Sequence, residues 1–378
     1  MKILKDIYRF IRFPLILFIL AFSYDFAVSQ TLIDKSLLNW LSLPKGFSVN
    51  IFAENLGAAR GLGISPNGDL FVCSMKTGEL IVLPDADKDG IADKRIIFAD
   101  GLRNPHSVAF HDGYIYIGET DKITRFRDED ENLVADGKGE IVISGLPTSG
   151  HFTKTIVFGP DDMMYLSIGS SCNICEESDP RRAAVVRYTP DGKDETIFAK
   201  GLRNSVALAF YAETGELWSA NNGRDRIGND IPPEEINVLV EGGHYGWPYC
   251  YGDGIMNPEY AGKEELCNGT LPPVFNMQAH SAPLGMRFYY GTQFPEEFRG
   301  DLYIAFHGSW NRTKRTGYKV VRVIIERGAA VGIEDFISGW LLPTGKRWGR
   351  PVDVEIAADG SMFISDDYTG TIYRVSYE

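Results

Sequence analysis

From Phe47 onward, short runs of alternating apolar and polar residues are separated by turns rich in Gly, Asp and Asn. Gly61-Leu62-Gly63-Ile64 leads through Asn67-Gly68 to Leu70-Phe71-Val72, and Ser107-Val108-Ala109-Phe110 leads through Asp112-Gly113 to Tyr114-Ile115-Tyr116-Ile117. A period of two puts alternate side chains on one face of a strand, and Asn-Gly or Asp-Gly supplies the backbone a tight hairpin needs, so each run reads as two paired strands. The unit recurs at Thr155 to Ile168, Val206 to Trp218, Leu284 to Ile304 and Val352 to Ile364. A third strand usually follows, such as Ala184-Val185-Val186-Arg187-Tyr188 or Thr371-Ile372-Tyr373-Arg374-Val375. Long helical periodicity is missing, and the expected fold class is all-β.

The repeats set the architecture. Asn50-Ile51-Phe52-Ala53-Glu54-Asn55-Leu56 returns as Ile96-Ile97-Phe98-Ala99-Asp100-Gly101-Leu102 and as Thr196-Ile197-Phe198-Ala199-Lys200-Gly201-Leu202, with Ile143-Ser144-Gly145-Leu146 a shorter echo. Spacings of about 45 to 55 residues belong to propeller blades or similar arrays, whose units cannot bury a sheet face alone. There are six units. The chain ends on a third strand, whereas Phe47-Ser48-Val49-Asn50-Ile51-Phe52 has the look of a fourth, so one sheet is shared between the termini and the ring closes. A six-bladed β-propeller follows, in one domain over 30–378. An open solenoid would lack this complementarity.

Residues 1–29 stand apart from that pattern. Lys2, Lys5, Arg9 and Arg12 precede the apolar run Phe13 to Phe22, and Ala27-Val28-Ser29 supplies a small-x-small site, the three regions of a secretory signal. The run is too short for a stable membrane span, and Asp25 interrupts it. A periplasmic or secreted location is expected. The 378 residues carry 38 Lys and Arg against 51 Asp and Glu, a net charge of −13. Loss of the signal removes four basic and two acidic residues, leaving 34 against 49, or −15. Nucleic acid is excluded as a general partner, because a phosphate backbone needs a net basic face. The five cysteines fit an oxidising compartment without forming a scaffold. Cys172 with Cys175 and Cys250 with Cys267 read as local bridges and Cys73 as a buried thiol; a single CxxC with no second ligand pair is a weak metal signal.

In a propeller the first strand of each blade lines the central channel, so residues just before it gather at one mouth. Those positions hold Arg60, His106, His151, Arg203 with Asn204, His280 and Arg350. Singly, each is an ordinary solvated or capping group; together they supply one cation, imidazole or amide per blade. Enlarged loops between second and third strands belong on the same face. They are Gly169 to Glu177, Asn221-Asn222-Gly223-Arg224-Asp225, and His307-Gly308-Ser309-Trp310-Asn311-Arg312. Fixed cations beside an aromatic ring point to a planar polyanion, which the acidic exterior does not prevent. Gly242-Gly243-His244-Tyr245-Gly246-Trp247-Pro248 reads equally as a substrate wall or as a packed turn. Asp85, Asp87, Asp89 and Asp93 have oxygen-ligand spacing for calcium without the twelfth-position Glu of an EF-hand, and an ion-free acidic hairpin explains them as well. Asp128, Asp130 and Asn132 repeat that pattern more weakly.

Gly201-Leu202-Arg203-Asn204, Glu235-Ile236-Asn237 leading into Gly243 to Pro248, and His151 eight residues before Gly159-Pro160-Asp161 together resemble one family. It is that of the soluble glucose/sorbosone dehydrogenases dependent on pyrroloquinoline quinone (PQQ), also called aldose sugar dehydrogenases, and the similarity runs from about Pro44 to Tyr377. The resemblance implies an exported six-bladed oxidoreductase that binds PQQ and Ca²⁺, oxidises a small sugar and passes electrons to a separate acceptor. It implies His151 as general base, Arg203 and Asn204 as cofactor clamp, and the carbonyls of Gly223 and Arg224 as calcium ligands. Arg60, His106, His307, Arg312 and Arg350 follow as further cofactor contacts. Two departures stand out: Gly150 where glucose-oxidising members have Asp before the base, and His307 where they have a cofactor-binding Lys. Two other classes compete, a calcium-dependent lactonase or esterase, which needs inward carboxylates, and a propeller that binds without chemistry.

Overall fold

The ring closes as the terminal strands foretell. In this computed structural model, which describes residues 33–378, Phe47–Ala53 pairs antiparallel with Thr371–Tyr377, Phe47 opposite Tyr377 and Ile51 opposite Tyr373. The signal sequence read over 1–29 lies outside the described residues. Phe47 secures the seam by meeting Phe294, Phe298, Phe336 and Tyr377 edge-on, with ring centroids 4.8 to 5.1 Å apart.

Among the described residues six blade sheets succeed one another, and a seventh, two-stranded sheet pairs Cys250–Tyr251 with Ile255–Met256. The first contains Ala59–Ile64, Leu70–Ser74, Glu79–Leu83 and Ile96–Ala99; the second Ser107–His111, Tyr114–Gly118, Ile123–Phe126 and Glu140–Ile143. Lys154–Phe158, Met164–Ile168, Ala184–Tyr188 and Thr196–Lys200 make the third, which Gly243–His244 extends in parallel. The fourth contains Ala207–Tyr211, Glu216–Asn221, Glu234–Leu239 and Phe275–Met277, the fifth Pro283–Phe288, Leu302–Phe306, Lys319–Glu326 and Ala329–Ile337. Pro351–Ile356, Met362–Asp366 and Thr371–Tyr377 complete the sixth with Phe47–Ala53. Each innermost strand packs against the next, and Ala59–Ile64 meets Pro351–Ile356 to finish the circle.

The axis is a packed core rather than a pore. Val206, Leu284 and Val352 meet there, and only about 30 Å³ remains open among the inner strands. Serines stitch blade to blade: Ser107 Oγ donates to the Lys154 carbonyl at 2.7 Å and Ser365 Oγ to that of Arg60 at 2.6 Å. Because successive strands in a blade are antiparallel, segments preceding the first strand and loops following the second emerge at the same face. The hairpins after the first and third strands emerge at the other.

Both cysteine pairs are bridged, and Cys73 is a fully buried thiol whose ionisation burial strongly opposes. The Gly242 to Pro248 segment resolves mainly as packing. Tyr245 and Trp247 are buried, and the Tyr245 hydroxyl donates to the Val238 carbonyl at 2.7 Å while accepting from the Val240 amide. The excursion that carries it separates the third and fourth strands of the fourth blade. Among the described residues no helix is long and apolar enough to cross a membrane.

Candidate active site

His151 sits on a loop that its own backbone fastens to the second strand's exit. The His151 amide donates to the Ser170 carbonyl at 2.9 Å, and His151 Nδ1 lies 3.0 Å from that same oxygen. A carbonyl only accepts, so Nδ1 carries the proton and Nε2 keeps its lone pair. Burial, helped by the Arg203 charge, pushes this imidazole down to about 4, so it is neutral at physiological pH. The loop is braced from behind by two buried cations that the sequence pattern does not single out. Lys154 Nζ donates to the carbonyls of Pro147 and Phe152 at 3.0 and 2.8 Å, and Arg182 donates to the Ser149 carbonyl at 2.9 Å.

Gly150, the departure before His151, has a physical cause. Its φ is +64°, and a Cβ there would lie 2.4 Å from the Ser171 carbonyl oxygen and 2.6 Å from that of Ser170. An aspartate side chain has no room. Gly150→Ala should destabilise the fold by at least about 1 kcal/mol through the left-handed backbone alone, and displacement of His151 should lower turnover by about 10²-fold. Denaturant unfolding and turnover of the variant check both; wild-type values would show that the loop yields without moving the base.

Arg203 lies on the same mouth as His151, joined through Ser170, whose amide donates to the Arg203 carbonyl at 2.8 Å. The Arg203 guanidinium is almost wholly engaged. It donates to the Asn173 carbonyl at 3.1 Å and Oδ1 at 3.0 Å, to the Gly223 carbonyl at 2.9 Å, and to Asp225 Oδ2 at 3.1 Å. Asn204 stands beside His151: a Cβ on Gly169 would fall 2.5 Å from His151 Cβ and 2.6 Å from Asn204 Oδ1. Behind the Gly223 loop, the buried Glu234 carboxyl accepts from the Gly223 amide at 2.6 Å and the Ala282 amide at 3.1 Å, and burial pushes it up to about 7. Glu235, of the sequence motif, is also structural. It accepts from Asn221 Nδ2 at 3.0 Å, and Asn221 Oδ1 in turn accepts from the Asn204 amide at 3.0 Å.

A second cluster gathers Arg60, His106, His307 and Arg350 around a carboxylate that sequence reasoning missed. Asp367 accepts from Arg60 Nη1 at 2.5 Å, Arg350 Nε at 2.8 Å and His307 Nε2 at 3.1 Å, and Arg60 Nε in turn donates to His106 Nδ1 at 3.3 Å. Burial alone would raise the Asp367 pKa, but His307, Arg60 and Arg350 outweigh it and hold the carboxyl far below the usual range. Burial drives His307 down to about 4 and His106 also well below its ordinary value, so both rings are neutral. The available signal was positional: Asp367 follows the sixth blade's second strand, as Ser170, Asn222 and His307 follow theirs.

Asn311 Nδ2 bridges toward the first cluster, donating to Asp225 Oδ1 at 2.8 Å with His280 Nδ1 at 3.4 Å, and the His307 amide donates to the Ala282 carbonyl at 2.9 Å. Not every candidate converges. His280 Nε2 is shared between the carbonyls of Gly228 and Ile231, so it braces a loop. Arg312 is tied to the Ala279 carbonyl and Asp230, and the Arg224 side chain turns to Glu259, leaving its backbone as the only part available. Trp310 is 67% exposed, with Arg226 5.5 Å over its ring. Asp85, Asp87, Asp89 and Asp93 follow the third strand of the first blade and therefore lie at the opposite face, where Asp85 shares a cavity with Asn67 and Asp359. Asp85, Asp87 and Asp89 bring carboxylate oxygens within 4.8 Å of one another there, and Asp85 also accepts from the Asp89 and Gly90 amides.

Comparison with known proteins agrees with this architecture. An uncharacterised protein of Borreliella burgdorferi is 32% identical over 93% of this chain and 94% of its own length. A protein of Coprinopsis cinerea named pyrroloquinoline quinone-dependent pyranose dehydrogenase is 23% identical over 89% of this chain, which spans only 54% of that relative's length. The calcium structure of the Trichoderma reesei AA12 carbohydrate-active enzyme superposes with a TM-score of 0.78 at 22% identity, over 89% of this chain and 97% of that one, a likeness of fold. Residues 41–378 match the family described as TrAA12-like, and with the whole ring inside that match, the chain belongs to it.

Proposed function

We propose that this protein is a quinoprotein sugar dehydrogenase that holds PQQ and calcium at the blade-entrance mouth and oxidises an aldose or related sugar. One observation carries the reading: a neutral histidine with a free Nε2 shares a mouth with a set of donors suited to a polycarboxylate. Among the described residues, the terminal nitrogens of Arg350, one of Arg60, the second ring nitrogen of His106 and the side-chain nitrogen of Asn204 find no acceptor, the Asn204 backbone amide being spent on Asn221. That donor set fits a tricarboxylic quinone. The carbonyls of Gly223 and Arg224, with Asn222, Asp225 and Glu234 beside them, are hard oxygen donors, and those of Asn222 and Gly223 already face a cation, the Arg203 guanidinium. They fit calcium. The Coprinopsis relative is named for its dependence on pyrroloquinoline quinone, and the Trichoderma structure is a calcium structure, which supports the same pair.

When bound, PQQ supplies the two-electron acceptor to which a sugar's anomeric hydride passes. The chain's own task is to position and to move one proton. His151 Nε2 takes the proton of the anomeric hydroxyl, Nδ1–H remaining on the Ser170 carbonyl, and the substrate leaves as the lactone. Arg203 and Asn204, with Arg60, His106 and Arg350, orient the carboxylated ring; His307 acts one step back, by fixing Asp367. Arg312 stays on the rim. Export by 1–29 would put the domain 30–378 in the periplasm or outside the cell, where a separate acceptor removes the electrons. The hydrolase alternative is weakened because Asp225 and Asp367 are each neutralised by a blade-entrance arginine, Asp225 by Arg203 and Asp367 by Arg60 and Arg350, where a hydrolase would need its carboxylates gathered around one ion.

Purified chain mixed with PQQ and calcium should reduce a redox dye when given a panel of aldoses, and neither additive alone should suffice. Absence of a spectral change and of dye reduction, with lactone or ester hydrolysis driven by calcium alone, would overturn the proposal in favour of the hydrolase.

A further inference from the structure

We infer that the bridged loop Ser170 to Cys175 is a positioning element that holds the base and the cofactor clamp in one register, with Asn173 as its working residue. The inference deepens the functional reading above and rests on it for the roles of Arg203 and the Gly223 loop. Asn173 lies inside the four-residue ring that the Cys172–Cys175 bridge closes. Its backbone carbonyl accepts from Arg203 Nε at 3.1 Å and from Trp247 Nε1 at 3.3 Å. Its side-chain Oδ1 accepts from Arg203 Nη2 at 3.0 Å and from the Asp225 amide at 2.8 Å, while Nδ2 donates to the Asp225 carbonyl at 3.1 Å. One planar amide thus reads both backbone groups of Asp225 and aims a guanidinium at the neighbouring Gly223 carbonyl.

The other end of the same loop serves the base. The Ser170 carbonyl receives His151 Nδ1 and Ser170 Oγ donates to the Cys172 carbonyl at 2.7 Å. Glu177 pins the middle by accepting from the Ser171 amide at 2.6 Å and its hydroxyl at 2.8 Å. Base, clamp and metal loop come from segments far apart in sequence, and this short stretch is where their hydrogen bonds meet. The bridge keeps the loop from extending, so Asn173 cannot drift from Asp225 without straining a closed ring. Outer-shell groups of this kind fix how ligands point, and their loss typically weakens binding about 10- to 100-fold.

The test compares wild type with Asn173→Ala, Asn173→Asp and the double variant Cys172→Ser/Cys175→Ser. Two readouts are taken: hydrogen exchange of the Asp225 amide in cofactor-free chain, and the Kd for PQQ titrated at saturating calcium. Asn173→Ala should speed that exchange and raise the Kd by about 10- to 100-fold. Asn173→Asp keeps Oδ1 as acceptor but sets a carboxylate oxygen against the Asp225 carbonyl where Nδ2 donated, so it and the double serine variant should both move the two readouts in the direction of Asn173→Ala. Wild-type exchange and wild-type Kd in Asn173→Ala would overturn the inference, as would a double serine variant indistinguishable from wild type, which decides the matter if Asn173→Ala does not fold. A wild-type chain that fails to bind PQQ would sink the functional reading, and the exchange readout alone then decides whether the loop holds Asp225.

Discussion

Turnover of His151→Ala is expected to fall by roughly 10² to 10⁴-fold while PQQ affinity stays near that of the wild type. The ratio follows from what His151 does. Its Nδ1–H is spent on Ser170, and its Nε2 has no protein partner among the described residues, so in the proposed mechanism it acts as a base and makes no cofactor contact. Arg203 beside it is cationic and His307 is committed to Asp367, so neither replaces it. Steady-state dye reduction together with a PQQ titration checks both halves. Unchanged turnover would remove His151 from the mechanism, and a collapse of affinity would recast it as a cofactor contact. In the cofactor-free chain its ring should stay neutral down to about pH 4, where an unperturbed histidine would already be charged near 6.5, as NMR titration of the ring protons can follow.

Asp367→Asn should lower the unfolding free energy by about 3 kcal/mol, a large share of what a domain of this size has to lose. The carboxylate is buried with the Arg60 guanidinium on one oxygen and Arg350 on the other, and the variant leaves those cations without their counter-charge. The pH dependence has a definite sign. With its folded pKa held below that of the unfolded chain, Asp367 contributes its full stabilisation above about pH 4 and loses it as pH falls through the depressed folded value. Urea unfolding at pH 7 and at decreasing pH should therefore show the gap between wild type and variant narrowing in acid. Equal midpoints at neutral pH would mean that the guanidiniums find water or other acceptors and that Asp367 is no hub.

How much of this was legible beforehand differs between frame and site. The hairpin pattern and the recurring Ile-Phe-Ala phrase carried the blades, because a period of two must place one face inward wherever the strand ends up. Closure was readable from Phe47 to Phe52, a fourth strand in search of a sheet. The fourth blade's outer strand, Phe275–Met277, was not: three residues after a long excursion leave no periodicity to detect. At the site, His151, Arg203 and Arg350 stood out by recurrence, because a cation, imidazole or amide precedes the first strand of every blade. That recurrence did not announce Asp367, Asn173 or Lys154. Each acts through partners on other blades or loops, and in a linear string an Asp after a strand, an Asn between cysteines or a Lys opening a strand looks like any turn or surface residue. Conversely, His280 and Arg312 have the expected type and place, but nearby carbonyls and Asp230 claim them.

The claim beneath all of this is that one face of the ring cradles a flat, polyanionic redox molecule beside His151, and a crystal structure of the chain grown with PQQ and calcium tests it most directly. The quinone should lie across the blade-entrance mouth with carboxylates on Arg350, Arg60 or Asn204 and with His151 Nε2 facing its open side. Density at the opposite face near Asp85, or an empty blade-entrance mouth at saturating cofactor, would contradict it.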